Sequence, residues 1–481
     1  MNELRLVEHN IHRVDVEGRP LLFHIPTSSL FQLDGVGRDL LDLFRDDDAP
    51  KGVTPEMVRN RFDGLHEPET VVETIKEMIE LEVLSDGRPL RPEHKRFDIR
   101  NFPLSTIVLN TNTGCNLSCT YCYKEDLEVP ANGTKMEFDT AVRSIEMLLE
   151  EGSIRDRFNV VFFGGEPLSN MPLIRDVVAY AETRASELQK KVDFSVTTNA
   201  TLLTEDLVDW LNDHRFGLTI SMDGPKAIHD KNRKTVGGTG TYDVVSKKAR
   251  MTLSRYDARP VGTRVTLTAG VVDVVGIWDH LVNDIGFHEV GFAPVTSAPD
   301  TMFEMNGDEL KEMFANMKEL GRIYCDAAFE NRNIGFSNMH QLMTDLSEGM
   351  TKALPCGAGV GLLAVDVKGG INLCHRFTGS DLPTFGDVHE NGIDKAALGR
   401  FLESRLDRTD KGCQTCRIRN LCSGGCYHES YAHYNDPIHP TYHYCDLMRD
   451  WVDFGIECYA RIVDRNPDFF SNYVEPRRVQ Q

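Results

Sequence analysis

The strongest constraint on the fold of this 481-residue chain is the placement of its twelve cysteines. Three of them fall within one short segment, and seven more follow between residues 356 and 445. Cysteines grouped in this way in a long chain are more typical of metal ligands than of disulfides, which staple small secreted domains. The fold must therefore gather its thiols into separate groups. The cysteines are Cys115, Cys119, Cys122, Cys325, Cys356, Cys374, Cys413, Cys416, Cys422, Cys426, Cys445 and Cys458.

The first group lies in the segment GCNLSCTYCY, where Cys115, Cys119 and Cys122 have the spacing C-x3-C-x2-C. Three thiolates on one short loop can hold three irons of a [4Fe–4S] cluster and leave the fourth iron open to another ligand. A three-ligand zinc site and three free thiols are the alternatives. Zinc motifs use paired C-x2-C units that a fourth ligand closes. No such ligand lies nearby in the sequence, so the spacing favours an iron–sulfur cluster.

The region from Thr106 to about Pro294 alternates between short β-rich runs and helical stretches. The runs are STIVLN, NVVFFGG, DFSVTTN, GLTISMDG, TRVTLTAG and EVGFAPV. Repeated alternation of strand and helix predicts an α/β fold with a parallel sheet or a partial barrel. The site of such a fold lies at the C-terminal ends of its strands. Several runs end in Gly, Asn or Asp, which suits loops that form a site.

With this loop and this alternation, the chain resembles the radical S-adenosylmethionine (SAM) enzymes. In that family the three-cysteine loop follows the first strand of a partial (β/α)6 barrel, and the FFGGEPL segment resembles the GGE motif that contacts the SAM amino group. The resemblance also implies an aromatic residue near the adenine, and contacts to the SAM ribose and carboxylate at three strand positions. Each of these single positions could instead be an ordinary polar residue. The implied SAM-binding residues are Tyr121, Gly164, Gly165, Glu166, Asn199, Ser221 and Arg264.

Asp223, in the segment SMDGP, directly follows a β-rich run, so we expect it to face the mouth of the barrel. In relatives of the resembled family, the aspartate of this segment lies near the substrate and can act as a base. The resemblance therefore implies a catalytic role for Asp223. The alternative role is structural, because an aspartate here could cap the turn before Pro225.

The second group of cysteines resembles the seven-cysteine SPASM signature of radical SAM enzymes, in which a domain holds two auxiliary [4Fe–4S] clusters. The resemblance implies S-adenosyl-L-methionine and three [4Fe–4S] clusters as cofactors, one binding SAM and two auxiliary. Some relatives close the nearer auxiliary cluster with an extra cysteine, which the preceding stretch EGMTKALP lacks. The implied ligands are Cys413, Cys416, Cys422 and Cys445 for the distal cluster, and Cys356, Cys374 and Cys426 for the nearer one.

Four histidines also lie close together near the end of the chain. A separate zinc site is conceivable there, although the neighbouring thiolates already account for the region. These histidines are His428, His433, His439 and His443.

The pattern predicts four parts in the chain. Residues 1–95 form a small winged-helix-type unit whose order of elements resembles the PqqD-like peptide-recognition domains. The alternative role for this unit is a purely structural cap on the barrel. Residues 100–310 form the radical SAM barrel, 311–345 a helical bridge, and 346–481 the SPASM domain with a C-terminal helix. The stretch RPLRPEHKRF, rich in proline and basic residues, reads as a linker after the first unit.

Charge and hydropathy exclude several classes of function. The chain has 53 Lys and Arg against 74 Asp and Glu, a formal net charge of −21. We expect no nucleic-acid partner, because phosphates would repel such a surface. We also expect no membrane association, because no apolar run approaches the roughly 18 residues of a membrane span. The charged N-terminus lacks the apolar core of a signal peptide, so a cytoplasmic location is expected.

Three stretches of the chain are YCYKEDL, CHRFTGSDLPTFGDVH and CSGGCYHESYAHYNDP. Through them the chain most resembles the maturation proteins of quinohemoprotein amine dehydrogenase, which are radical SAM–SPASM enzymes. These join Cys sulfur to methylene carbons of Asp or Glu within a small polypeptide subunit. The resemblance implies a small Cys-rich polypeptide substrate with a leader peptide, and an electron donor such as flavodoxin or ferredoxin. The alternatives are another SPASM peptide modifier, such as an anaerobic sulfatase maturase that makes formylglycine, and a non-catalytic iron–sulfur scaffold or carrier.

Overall fold

The computed structural model describes residues 3–44, 52–91, 104–123, 133–299, 301–406, 412–440 and 442–474. Most of the predicted linker, from residue 92 onward, lies outside these ranges. So does the stretch that directly follows Tyr123. No helix in the described ranges combines the length and the apolar character that a membrane crossing requires.

The centre of the fold is a parallel sheet whose strands alternate with helices. Within the described residues, six neighbouring strands run in chain order across the sheet and all pair in parallel. The predicted α/β class with a parallel sheet is confirmed. The strands are β6 (Thr106–Asn110), β7 (Arg157–Phe163), β8 (Lys191–Thr198), β9 (Gly217–Ser221), β10 (Gly262–Leu267) and β11 (Glu289–Pro294).

Helices cover the outer face of this sheet. They are α4 (Phe138–Glu151), α5 (Met171–Glu187), α6 (Glu205–Asp213), α7 (Lys226–Asn232), α8 (Tyr242–Arg255) and α9 (Val274–Asp279), which a π-helical turn, His280–Ile285, extends. In β7 alternate residues are buried against these helices, namely Phe158, Val160 and Phe162. The intervening residues face the inside of the curved sheet and are only half-buried. A strand period of two therefore leaves an apolar outer face and an open lumen.

The sheet continues into the C-terminal part of the chain. Strand β12 (Leu362–Val365) pairs in parallel with β6, and β13 (Ile371–Asn372) pairs with β12 in antiparallel fashion. The segment after the barrel thus begins as part of the same sheet. The predicted boundaries between the parts of the chain remain predictions.

Two long helices brace this junction. Helix α10 (Gly307–Phe329) begins with a capping box at Asn306, and α11 (Ser337–Ser347) follows it. Both pack against α15 (Cys445–Arg465). The remaining elements are β14 (Gly386–Asp387), β15 (Gly392–Ile393), α12 (Lys395–Leu406), α13 (Arg419–Cys422), α14 (Tyr427–Tyr434) and α16 (Asp468–Tyr473).

The N-terminal unit has a small antiparallel sheet, three helices and a core of its own. The sheet order is β2–β3–β4, and β1 pairs with β5. The elements are β1 (Arg5–Leu6), β2 (Ile11–Val16), β3 (Arg19–His24), β4 (Ser29–Gln32), α1 (Gly35–Asp42), α2 (Pro55–Phe62), α3 (Pro68–Glu80) and β5 (Leu84–Ser85). The winged-helix type and the PqqD-like identity of this unit remain predictions.

The other face of that small sheet packs into the main core, so the unit is not a freely hanging module. Val14, Val16 and Phe23 belong to the same buried cluster as the barrel. Arg419 of α13 is buried and donates to Asn10 Oδ1 at 3.0 Å, and it also donates to the carbonyl of His9. The N-terminal unit is therefore tied to the C-terminal cysteine region.

The substitution Asn10→Ala tests the contact between the N-terminal unit and the C-terminal cysteine region, and it changes the unit that carries no cysteine. The change leaves part of the buried Arg419 guanidinium without an acceptor and frees the Glu82 carbonyl, which Asn10 contacts at 3.0 Å. We expect a loss of about 1–3 kcal/mol, because unsatisfied buried polar groups cost that much. A lower thermal midpoint and faster proteolysis between the unit and the barrel would show it. The exposed neighbour variant Glu8→Ala is the control, and equal behaviour of the two variants would contradict the docking role.

Candidate functional site

A cavity of about 510 Å³ opens at the C-terminal ends of the parallel strands. All three cysteines of the first group line it, and so does every predicted SAM-binding residue. The structure therefore brings together side chains that lie far apart in the sequence. These residues are Cys115, Cys119, Cys122, Tyr121, Gly164, Gly165, Glu166, Asn199, Ser221 and Arg264.

The cysteine loop is held by a backbone pair with the segment after α7. Ser118 N donates to the Lys234 carbonyl at 2.8 Å, and Thr120 N donates to the Asn232 carbonyl at 2.9 Å. The Thr120 hydroxyl also donates to Asn232 Oδ1 at 2.9 Å. Sequence reasoning did not assign this supporting role, because no local pattern shows which segment lies beside the loop.

Two glycines allow the next strand to approach the cysteine loop closely. Gly164 has a φ of +150°, and a Cβ there would lie 2.4 Å from the Asn112 carbonyl oxygen. A Cβ on Gly165 would lie 2.0 Å from the Gly114 carbonyl oxygen. Gly165 N and Glu166 N donate to these two carbonyls at 2.7 and 3.0 Å. A side chain at either glycine would push the loop away, which explains this pair of residues before the glutamate.

Glu166 is almost completely buried, with 1% of its surface exposed. Its carboxylate accepts hydrogen bonds from the Thr198 hydroxyl at 2.7 Å and from Asn199 N at 2.8 Å. Burial raises the pKa of Glu166 to about 7, against these hydrogen bonds, which lower it. The carboxyl group is thus preorganised beside the glycine pair at the cavity wall.

The other predicted SAM contacts lie on neighbouring strand ends. Asn199 Nδ2 donates to Asn116 Oδ1 at 2.9 Å and lies 3.7 Å from Cys115 Sγ, so it connects β8 to the cysteine loop. Ser221 and Arg264 line the cavity from β9 and β10. Burial lowers the pKa of Arg264, and the nearby positive charge of Arg376 lowers it further. Two guanidinium groups therefore give one wall of the cavity a positive potential.

Asp223 is 1% exposed and does not line the cavity. Its carboxylate forms a two-point ion pair with Arg233, at 2.9 and 3.1 Å. It also accepts a hydrogen bond from Tyr121 Oη at 2.6 Å and from Thr266 N at 3.0 Å. All of these contacts position other groups, because Tyr121 and Arg233 both reach the cavity. The geometry favours a positioning role for Asp223, through Arg233 and Tyr121, which differs from the turn cap considered from the sequence. The role as a base stays a prediction.

The later cysteines fall into the two groups that the resemblance implied. Cys422 lies close enough to Cys413, Cys416 and Cys445 to interact with them electrostatically. Cys374 interacts in the same way with Cys356 and Cys426.

Burial governs the charge of these thiols. It raises the pKa of Cys115 and Cys374 to about 12 and that of Cys119 and Cys422 to about 11. Without a cation the thiols would be neutral at pH 7, whereas iron ions would stabilise the thiolates. Three donors at one site and four at another suit iron–sulfur clusters, so the donor sets fit the implied cofactors.

Residues that the sequence did not single out join the first and second cysteine groups. Tyr123 interacts electrostatically with Cys122 on one side and with Cys374 and Cys426 on the other. The guanidinium of Arg376 lies 5.2 Å from the centroid of the Tyr123 ring. His375 and Arg376 directly follow Cys374, and both line the cavity. The cavity is therefore shared between the barrel and the C-terminal region, a property that no linear motif encodes.

Three comparisons relate the chain to known proteins. Residues 109–268 match the family model of the Radical SAM superfamily. A cysteine-type anaerobic sulfatase-maturating enzyme of Clostridium perfringens is 32% identical over 160 residues, 31% of this chain and 40% of that enzyme. An uncharacterized protein of Archaeoglobus fulgidus is 27% identical over 390 residues, 77% of this chain and 85% of that protein. The structure of native anSMEcpe with bound AdoMet and Cp18Cys peptide has a TM-score of 0.64 at 19% identity, covering 76% of this chain and 99% of that one.

The matched family and the three-cysteine loop over the parallel sheet identify this chain as a radical SAM enzyme. The prediction that the chain is an enzyme of this class is confirmed. SAM and an iron–sulfur cluster are the cofactors of that class. The count of three clusters remains a prediction.

Iron analysis tests that count. Reconstituted protein should hold about twelve irons per chain, because the ten grouped cysteines provide for three cubic clusters. The triple variant with Cys115, Cys119 and Cys122 replaced by Ala should retain about eight irons and lose SAM cleavage. SAM cleavage at the full rate by this variant would contradict the assignment of the first group.

Asp223→Asn separates the two roles considered for Asp223. A positioning role predicts that SAM cleavage falls with and without substrate, because the buried Arg233 charge loses its partner and Tyr121 loses its acceptor. Breaking a buried pair in this way costs about 3–5 kcal/mol, so the thermal midpoint should fall as well. A role as substrate base predicts instead that only the substrate-coupled reaction falls. Rates of 5′-deoxyadenosine formation, measured with and without substrate, decide between the positioning role and the role as a base.

Proposed function

We propose that this chain is a SPASM-type radical SAM enzyme that modifies a peptide and forms intrachain thioethers. In the proposed reaction Cys sulfur is joined to a methylene carbon of Asp or Glu within a small Cys-rich polypeptide subunit of quinohemoprotein amine dehydrogenase. The observation that carries the proposal is the shared cavity, which places the first cysteine group, Arg264 and Arg376 around one chamber. A reductant such as flavodoxin or ferredoxin would supply the electron.

The cofactors and the protein have separate tasks in this proposal. Cys115, Cys119 and Cys122 would hold a cluster that, together with SAM, would supply the radical chemistry needed at a substrate carbon. The chain holds the cysteine loop through Gly164 and Gly165. It also surrounds the reacting groups with walls that exclude water. Tyr121, fixed by Asp223, and Asn199 restrict the position of the bound cofactor.

The position of Arg376 favours an acidic residue as the target in the substrate. It extends from the cysteine-rich region into the cavity, where its Nη1 donates to Thr296 Oγ1 at 2.7 Å. Arg264 and Arg376 repel each other, and Glu289 only partly offsets this repulsion at Arg264, so the pair would attract an incoming anion. SAM supplies one carboxylate, and the side chain of a substrate Asp or Glu would supply the second. A guanidinium pairs with a carboxylate through charge-assisted hydrogen bonds.

The three cysteines assigned to the nearer auxiliary cluster favour a substrate that contains a cysteine. In the described residues Cys356, Cys374 and Cys426 interact as a set of three, one donor fewer than the four cysteines that close a cubic cluster. A thiol from outside the chain can complete such a set. Thioether formation requires a substrate cysteine in the same chamber as the acidic residue.

The N-terminal unit supports recognition of a leader peptide. Among the described residues, β4 pairs with β3 on one side only, so its outer edge is open. A cavity of about 550 Å³ lies beside the start of this strand, lined by Ser29 and Leu30 and by residues 346–349. An extended peptide could add to this edge through backbone hydrogen bonds.

The second candidate function is a formylglycine-forming maturase. The observation in its favour is the 32% identity with the cysteine-type anaerobic sulfatase-maturating enzyme over 160 residues. That alignment covers 31% of this chain and 40% of the relative, so it leaves most of both proteins uncompared. A non-catalytic scaffold is disfavoured, because every predicted SAM-binding residue lines one cavity.

Hydrogen exchange tests the leader interaction without any substitution. Addition of the full-length polypeptide should slow exchange of the amides in Ser29–Gln32, because an added strand would engage the open edge of β4. A matched polypeptide without its leader should not slow them. Protection confined to other parts of the N-terminal unit, or no protection at all, would contradict this recognition mode.

Mass spectrometry tests the product. Each thioether replaces one C–H and one S–H bond by a C–S bond. The hydrogen atom from carbon would go to the adenosyl group, the thiol proton to solvent, and the remaining electron to an auxiliary cluster, so the product should lose two hydrogens, about 2 Da per crosslink. Fragment ions should be missing between each joined Cys and its Asp or Glu. A complete linear fragment series, or formylglycine in place of Cys, would overturn the thioether reaction and favour the second candidate.

Arg376→Gln tests the acidic target. A lost charge-assisted hydrogen bond costs about 1.5–3 kcal/mol, so kcat/KM should fall at least tenfold. Replacing the target Asp or Glu in the substrate by its amide should lower kcat/KM strongly for the wild-type enzyme and only slightly for the Arg376→Gln variant. Arg400→Gln, an exposed change on α12, is the control. Additive losses from the two changes would contradict the proposed contact.

A further inference from the structure

Three possible metal ligands from separate elements meet outside both cysteine groups. Glu304 lies in the segment between β11 and α10, His433 lies on α14, and His443 lies just before α15. One ligand atom from each of the three residues lies within 4.8 Å of the others. The sequence showed only that several histidines occur late in the chain. It could not show that a glutamate from the barrel side joins two of them.

The geometry within this triad suits shared ligation better than a direct hydrogen bond. His433 Nδ1 is buried and makes no hydrogen bond with any of the residues that the structure describes. The nearest carboxylate atom of the triad, Glu304 Oε1, lies 3.6 Å from it, which is too long for a hydrogen bond. Two ligands of one tetrahedral zinc ion, with bonds of about 2.0–2.1 Å, lie about 3.4 Å apart. The observed separation is close to that value.

The rings of His433 and His443 lie side by side, with centroids 4.2 Å apart and planes 13° from parallel. Two neutral imidazoles in this arrangement can each direct a nitrogen toward the carboxylate. His443 is exposed, so an ion can reach the triad from solvent. His439, by contrast, stacks on Tyr434 at 3.8 Å and is not part of the triad.

A small cavity lies at the triad. Its volume is about 20 Å³, and its lining includes Glu304, His433 and His443 together with Glu429 and Tyr444. A void needs about 10–15 Å³ to accept one water molecule. The space therefore admits a single ion or water and excludes an organic ligand.

We propose that Glu304, His433 and His443 bind one Zn²⁺ ion. Two imidazole nitrogens and one carboxylate oxygen form a ligand set typical of zinc, with the fourth position left to water. The carboxylate and the divalent ion leave a net charge of +1 at the site. The ion is separate from the iron–sulfur clusters, because the triad contains no cysteine.

The site would act as a clamp between the barrel and the C-terminal region. Pro294 and Val295, at the end of β11, line both the small cavity and the large reaction cavity. An ion that ties Glu304 to α14 would therefore fix one wall of the reaction chamber. The proposal rests on the triad alone and does not depend on the proposed thioether reaction.

Zinc binding to the cluster-loaded, full-length enzyme tests the site. The protein, reconstituted under anaerobic conditions, is incubated with zinc sulfate, desalted, and analysed for zinc and iron. We expect about one zinc per chain, and at least tenfold weaker binding in His433→Ala and His443→Ala. His439→Gln, which changes a neighbouring histidine outside the triad, should bind zinc as the wild type does.

X-ray absorption at the zinc edge identifies the ligands. A first shell of nitrogen and oxygen supports the triad, and a shell that contains sulfur overturns the proposal, because the zinc would then occupy cysteine sites. Should a histidine variant fail to assemble its clusters, Glu304→Gln provides the same test from the barrel side and leaves α14 intact. Equal zinc binding by wild type and Glu304→Gln, or no zinc binding by the wild type, would overturn the proposal.

Discussion

The close backbone contact between the cysteine loop and the glycine pair of the next strand is the constraint on which the site depends. Gly164 and Gly165 allow the carbonyls of Asn112 and Gly114 to accept hydrogen bonds at 2.7 and 3.0 Å. This contact fixes the loop that carries Cys115, Cys119 and Cys122. It also turns the chain so that Glu166 enters a buried position beside Asn199. A larger residue at either glycine would disturb both the cysteine group and the carboxylate at once.

A buried arginine lies beside each of two groups of cysteines. Buried thiolates need positive charge nearby, since burial otherwise keeps the thiols protonated. Arg233 lies beside the first group, where Asp223 orients it. Arg405 is fully buried beside the nearer auxiliary group and donates to the carbonyls of Ile438 and Gly425 at 2.8 and 2.9 Å. These cations would offset the negative charge of metal-bound thiolates, and their hydrogen bonds orient the loops around the cysteines.

The N-terminal unit, the barrel and the C-terminal region are joined near the cysteine groups. Strand β12 adds to the first barrel strand, so the segment that carries Cys374 and Arg376 enters the wall of the reaction cavity. The N-terminal sheet packs on the main core, and Arg419, three residues before Cys422, donates to Asn10 at 3.0 Å. The proposed sites of peptide recognition, radical formation and auxiliary-cluster binding would thus lie on one continuous body. A peptide held at β4 and a reaction in the barrel would be parts of one assembly.

Local patterns in the sequence were sufficient to predict the parallel α/β architecture and the grouping of the cysteines. Each of these depends on short spacings, such as C-x3-C-x2-C or a strand followed by a helix, which neighbouring residues determine. The resemblance to radical SAM enzymes added several of the residues that line the cavity, but not Tyr123, His375 or Arg376. The role of Asp223 could not be predicted, because a base and a structural carboxylate are the same residue in the same turn. Only packing shows that Arg233 and Tyr121 enclose it. The pairing of β12 with β6, the entry of Arg376 into the chamber and the meeting of Glu304 with His433 were likewise decided by tertiary structure. These contacts join residues that are about 80 to 270 positions apart, and chain packing alone brings such residues together.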